Sequence, residues 1–346
     1  MSKPNILVGG LLLSVVCGAA VRRVTDTYTL APTWISALDR ISAQSMRGHL
    51  SFIASDLLEG RNTPSIGLDI AAEYIAAQFR RADLEEPGKD GYFQVAEIGE
   101  AGRTIKVRNV AGILRGSDPK LRDTFVVLSA HYDHLGVLPT ATGDRIYNGA
   151  NDDGSGTVSV IEIAAALASA PVRPRRSILF LAFYGEEEGL LGSKYFIAHP
   201  IVPTDKMVAQ LNLEQVGRTD DPTGPHVGTL GVTGFRLSDL GHILELAGAK
   251  TGIQVHGDNQ DPDDYFERSD NLPFARAGVP AVTVGAAFEF PDYHKPSDEW
   301  RKIDFDNMAR VDRAIAAALV MMADSEGVPA WNGGTPNAAK GQKASR

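Results

Sequence analysis

The chain has a single cysteine, Cys17, among 346 residues. A disulfide-stapled scaffold is excluded, and so is a metal site or redox pair built from two or more thiolates. Basic charge is also in deficit. Lys and Arg number 34 against 43 Asp and Glu, a formal net charge of −9 at pH 7. That balance argues against a nucleic-acid binder held by phosphate contacts. Internal repeats and heptad stretches are absent, and no Pro/Ser-rich linker divides the body. What is present is ordinary globular composition, 43% hydrophobic and 22% charged, which excludes a largely disordered chain.

Residues 1–20 read MSKPNILVGGLLLSVVCGAA. A short basic start at Lys3, an apolar run from Ile6 to Val16 and the small residues Gly18, Ala19 and Ala20 form the pattern of a secretory signal peptide. The run is short for a membrane span. Cleavage near Ala20 would remove Cys17 and leave an exported, periplasmic or secreted chain without cysteine. Lipid attachment at Cys17 is the competing reading, and Ser14 and Val16 fit it poorly. The expected organisation is a signal peptide at 1–20, one catalytic domain at 21–325 and a flexible tail at 326–346.

Apolar spacing predicts helices over residues 33–46, 66–81, 157–170, 189–198, 237–250 and 307–323. Continuous apolar runs FVVLSA (125–130) and SILFLAFY (177–184) read as strands buried on both faces, with further strands at 207–213 and 281–284. Strands alternating with helices predict an α/β fold: a single three-layer domain with a central mixed, mostly parallel sheet flanked by helices.

Polar residues cluster where those strands end, the place where α/β sheets build sites. His131-Tyr132-Asp133-His134 follows FVVLSA. Residues two apart in extended chain point the same way, so Asp133 can accept from the ring N–H of His131. Asn148-Gly149-Ala150-Asn151-Asp152-Asp153-Gly154-Ser155-Gly156 precedes an alanine-rich helix. Glu186-Glu187-Glu188 ends the next strand, and Glu214 ends AQLNLE. His294 lies in PDYHKPSDEW, beyond the last strand. Each feature alone has a bland explanation: a turn, a helix cap or a solvated acid. Together they place imidazole and carboxylate donors at successive sheet edges. Such a set without thiolate suits zinc, with other divalent transition metals second. Five donors, His131, Asp152, Glu187, Glu214 and His294, exceed what one catalytic zinc takes. They suit two metals sharing a carboxylate, roughly 3.5–4 Å apart.

With these residues in view the sequence resembles the co-catalytic di-zinc exopeptidases, a family that includes secreted bacterial aminopeptidases and glutamate carboxypeptidase. The resemblance runs from about His49 to about Arg313, including HLSFIASDLLEGRNTPSIGLDIAAEYIAAQF. It is strongest in SAHYDHLG, NGANDDGSGT, FLAFYGEEEGLLGS and YHKPSDEW, in the family's order. It implies the zinc exopeptidase fold and two zinc ions. One would be held by His131 and Glu214 and the other by Glu187 and His294, with Asp152 bridging. It further implies that Asp133 orients His131, that Glu186 is the general base and that Tyr293 stabilises an oxyanion. It implies a cis peptide bond after Asp152. The chain departs from the commoner pattern at Glu214, where many members have Asp, and at Asn271, which follows Arg268-Ser269-Asp270.

The activity implied is aminopeptidase action on peptide substrates. A carboxypeptidase or dipeptidase of the same fold is the alternative, with Arg268 and Lys295 as candidates for holding a substrate carboxylate. A single-metal glutaminyl-cyclase type fits less well, because all five ligand positions are filled. A non-catalytic binding protein on this fold would be free to lose Glu186 or a ligand. Side-chain preference and oligomeric state are not legible.

Overall fold

The computed structural model describes residues 28–333, apart from 101, 140–142, 223 and 258–264. The expected signal peptide lies outside the described residues. The centre is an eight-stranded sheet: β1 (Phe93–Glu100), β2 (Arg103–Leu114), β3 (Phe125–His131), β4 (Ser177–Phe183), β5 (Met207–Leu213), β6 (Thr229–Val232), β7 (Gln254–Gly257) and β8 (Ala281–Gly285). Their spatial order is β1-β2-β4-β3-β5-β8-β6-β7. The middle strands β4, β3, β5 and β8 pair in parallel, as do β6 and β7. β1, β2 and β4 join antiparallel, as do β8 and β6. The sheet is therefore mixed and mostly parallel.

β3 and β4 are buried at every residue, because both faces are covered. Alternate side chains feed two cores. Val126, Leu128 and Ala130 join the larger one, under the helices α1 (Pro32–Leu38), α2 (Ala43–Ile53), α3 (Ile66–Arg81), α4 (Gly156–Ala168), α6 (Leu240–Thr251) and α8 (Phe305–Asp324). Phe125 and Val127 join the smaller one, with Phe196 of α5 (Leu191–Ala198) and Phe274 of α7 (Asn271–Arg276). The result is the three-layer α/β arrangement expected from the alternation of runs.

Some boundaries move for local reasons. The helix expected over 33–46 is two helices, because Ser42 turns extended and its hydroxyl accepts from Ser45 N, capping α2. Two sheet-edge pairs, β1–β2 and β6–β7, were not anticipated. Part of the expected tail packs on the body: Ser238 bridges to Trp331, whose indole N–H donates to Gly278 O.

Candidate metal centre

Four parallel strands end at one place. His131 closes β3, Glu186 and Glu187 follow β4, Glu214 follows β5, and His294 lies in the loop after β8. Asp152 comes from the turn before α4. Thr157 on α4 donates its hydroxyl to His131 O at 2.6 Å, tying that turn to the end of β3.

The nitrogen and oxygen atoms face one another in two groups that share Asp152. His131 Nε2 lies 3.4 Å from Asp152 Oδ1 and 3.6 Å from Glu214 Oε2. His294 Nε2 lies 3.1 Å from Asp152 Oδ2 and 3.3 Å from Glu187 Oε2. Two ligands on one tetrahedral zinc, each at about 2.0–2.1 Å, sit about 3.3–3.4 Å apart. The observed separations match that edge. Among the described residues, His294 Nε2, Asp152 Oδ2 and Glu187 Oε1 are buried and make no well-aligned hydrogen bond. Buried polar atoms left without partners are costly, so the donor set fits divalent cations.

The remaining site residues fall around this set. Asp133 Oδ1 lies 3.4 Å from His131 Nδ1, on the side of the ring away from Asp152 and Glu214. The same oxygen accepts from Glu186 N at 3.1 Å. Asp133 therefore touches both the imidazole and the segment that carries Glu186. Tyr293 stacks on His294 with ring centroids 4.0 Å apart. The Asp152–Asp153 peptide bond is cis. A cavity of about 670 Å³ opens over Asp152, Glu186, Glu187, Glu214 and Tyr293, with Arg268 on its wall.

Electrostatics separate these carboxyls. Burial, reinforced by Glu214, Asp270 and Glu187 and opposed by His131, raises Glu186 well above the usual carboxylate range. A carboxyl so raised holds a proton more tightly than a free one, a property suited to a group that accepts and returns a proton. Burial alone would lower His294, but contact with Asp152 and Glu187 overrides it and raises the ring to about 10. Burial alone would raise Asp152, but His131 and His294 hold it low.

Other residues complete the site without having been singled out for it. Asp298 accepts from Asn151 N at 2.9 Å and from Asp152 N at 3.1 Å, fixing the main chain of the shared acid. Asp153 Oδ1 accepts from Gly156 N and Gln215 N, linking the turn to the end of β5. Ser269 donates to Glu214 Oε1, and Asn212 donates to Ser269 at 2.8 Å. His134 is fully buried, with Nδ1 2.8 Å from Glu187 Oε1. Asp298 stood in the quoted YHKPSDEW segment, but its acceptor role depends on a contact 146 residues away.

A probable zinc metalloprotease of Leptosphaeria maculans is 25% identical over 338 residues, 84% of this chain and 77% of that protein. Aminopeptidase YwaD of Bacillus subtilis is 28% identical over 230 residues, 64% of this chain and 46% of that protein. The LapA aminopeptidase of Legionella pneumophila superposes with a TM-score of 0.66 at 20% identity, over 93% of this chain and 80% of its own. The sequence profile described as Peptidase family M28 matches residues 109–319, from within β2 into α8 and across every strand end described above. The protein is a metallopeptidase belonging to peptidase family M28.

Proposed function

We propose that the protein is a zinc-dependent aminopeptidase that holds two zinc ions and removes N-terminal residues from peptides. The observation that carries the reading is the sharing of Asp152. Its two oxygens face His131 on one side and His294 on the other. In this reading His131, Glu214 and Asp152 would hold one ion, and His294, Glu187 and Asp152 would hold the other. Zinc, when bound, supplies Lewis acidity and lowers the pKa of water toward neutrality. Glu186 accepts the proton of the attacking water on its carboxylate and returns it to the leaving amine. Asp133 keeps the His131 ring turned so that Nε2 faces Asp152 and Glu214. Tyr293 directs its phenol toward the carbonyl oxygen as negative charge develops there. The curated relatives support the zinc and aminopeptidase assignments by their names.

Arg268 and Lys295, both on the cavity wall, favour a second reading, in which a substrate carboxylate docks there and the enzyme is a carboxypeptidase. One digest distinguishes the two. Zinc-loaded protein meets a peptide in free, N-acetylated and C-amidated forms, with and without chelator, and products are read by mass spectrometry. N-terminal trimming abolished by acetylation and by chelation is the expected result. Cleavage indifferent to acetylation but blocked by amidation would replace it with the carboxypeptidase. The N-terminal pattern further supports export to the periplasm or medium after removal of residues 1–20, with 21–325 as the catalytic domain and 326–346 as the tail. N-terminal sequencing of the exported chain tests the first boundary.

A further inference from the structure

Arg61 belongs to the SDLLEGRNT segment, which the peptidase chemistry does not use. Its side chain is fully buried. Among the described residues its guanidinium donates only to main-chain carbonyls. Nε donates to Tyr132 O at 2.8 Å, Nη1 to Ile53 O and Asn148 O at 2.7 Å each, and Nη2 to Gly149 O at 3.0 Å. Its own carbonyl accepts from His134 N at 3.4 Å. Asp133 is thus bracketed between two contacts to one residue. The other bracketed segment, Asn148–Gly149, leads directly into Asp152.

Burying a guanidinium is expensive unless donors and charge are both satisfied. Here the planar fork matches carbonyls from three separate segments. The charge is offset by the field of Asp133, Asp298, Asp152 and Asp153. The backbone that delivers Arg61 is strained. Glu59, Gly60 and Arg61 have consecutive positive φ values of 48°, 67° and 52°. Residues with a Cβ avoid that region, so the surrounding contacts must impose it, as happens at functional sites. A Cβ at Gly60 would meet Tyr147 O at 2.4 Å, so only glycine allows the segment to approach so closely.

We propose that Arg61 is a positioning residue for the metal cradle: by locking the main chain at Tyr132 and Asn148–Gly149, it holds His131, Asp133 and Asp152 in ligating register before any cation binds. The inference rests on the zinc reading of the preceding subsection. It predicts that Arg61→Lys, which keeps the charge but not the fork, weakens zinc binding by about 10–100-fold and lowers kcat while leaving KM little changed. Zinc affinity is read by chelator competition. Ile315→Ala, in the core of α8 and away from the site, serves as a control that loses stability but keeps zinc affinity and kcat. Arg61→Lys with wild-type zinc affinity and kcat, or with losses no greater than those of Ile315→Ala, would overturn the inference.

Should Arg61→Lys fail to fold, hydrogen exchange on the wild-type chain decides. Tyr132 N and Ala150 N are hydrogen-bonded to Phe183 O and Asp298 O. Both amides stay protected after zinc is stripped if Arg61 orders the cradle. Loss of protection confined to these segments would assign the ordering to zinc and overturn the inference. Wild-type protein that takes up no zinc overturns the site reading itself, and this inference with it. Zinc uptake equal in wild type and Arg61→Lys overturns only the inference.

Discussion

Glu186 and Glu187 are adjacent carboxyls in different surroundings. Glu187 faces His134 and His294, which hold it low against burial, whereas Glu186 is raised well above its usual range. Replacing Glu186 by Gln keeps the size and removes the base. Turnover should fall by about 10²–10⁴-fold while bound zinc, measured by elemental analysis, stays at the wild-type level. Near-normal turnover would remove Glu186 from the base role. Glu214 depends on a neighbour: Ser269 donates to one of its oxygens and leaves the other facing His131. Ser269→Ala should raise the zinc dissociation constant by about 10–100-fold, as read by chelator competition, and an unchanged constant would deny Ser269 that part. His131, Asp152, Glu186, Glu187, Glu214 and His294 were legible in the sequence because each is a polar residue just past a strand or turn. Asp298 and Arg61 were not, because their hydrogen-bond acceptors or donors lie up to 147 and 88 residues away.

At the scale of elements, apolar runs identified β3, β4, β5 and β8 because these strands are buried on both faces. β1 and β2 escaped notice because one end of the pair is exposed. Arg103, Thr104 and Lys106 are exposed, with Ile105 the one apolar residue among them, until the strand enters the core at Val107. α8 carries two separable features. Its N-cap Asp304 accepts from Asn307 N at 3.0 Å. Asp304→Ala should cost about 1 kcal/mol in urea unfolding with zinc binding unchanged. Asp312, on the same helix, is fully buried beside Ser159. Burial, with the nearby Glu162 charge, raises its pKa to about 8. The unfolded value is about 3.9, so between those values the folded chain binds the proton more tightly. Its contribution is complete below about pH 4 and fades as pH rises to about 8. Asp312→Asn should therefore gain stability relative to wild type as pH rises through that window. Parallel stability curves from pH 5 to 8 would remove Asp312 as the cause.

The whole molecule couples the site to its stability. Every proposed ligand lies on or beside the carboxyl end of a different central strand or on the turn that opens α4, so cations bound there would join the ends of β3, β4, β5 and β8. Chelation should lower the melting temperature, and zinc should restore it. At free zinc about 100 times the dissociation constant, one site that binds only the folded chain adds about 2.7 kcal/mol. A melting temperature indifferent to chelator would mean that the donor set holds no cation in solution.

Local chemistry and periodicity were enough to predict an α/β domain, four of its central strands and candidate donors at their ends. Those properties are written in consecutive residues: a run of apolar side chains must be covered on both faces, and a polar cluster after it must sit at the sheet edge. Only the tertiary structure decided the strand order, the two edge pairs and the burial of Arg61. It alone brought Asp298 under Asp152 and Ser269 against Glu214. These depend on which distant segments meet, and a hydrogen bond between residues from 55 to 147 positions apart leaves no periodic trace in either segment.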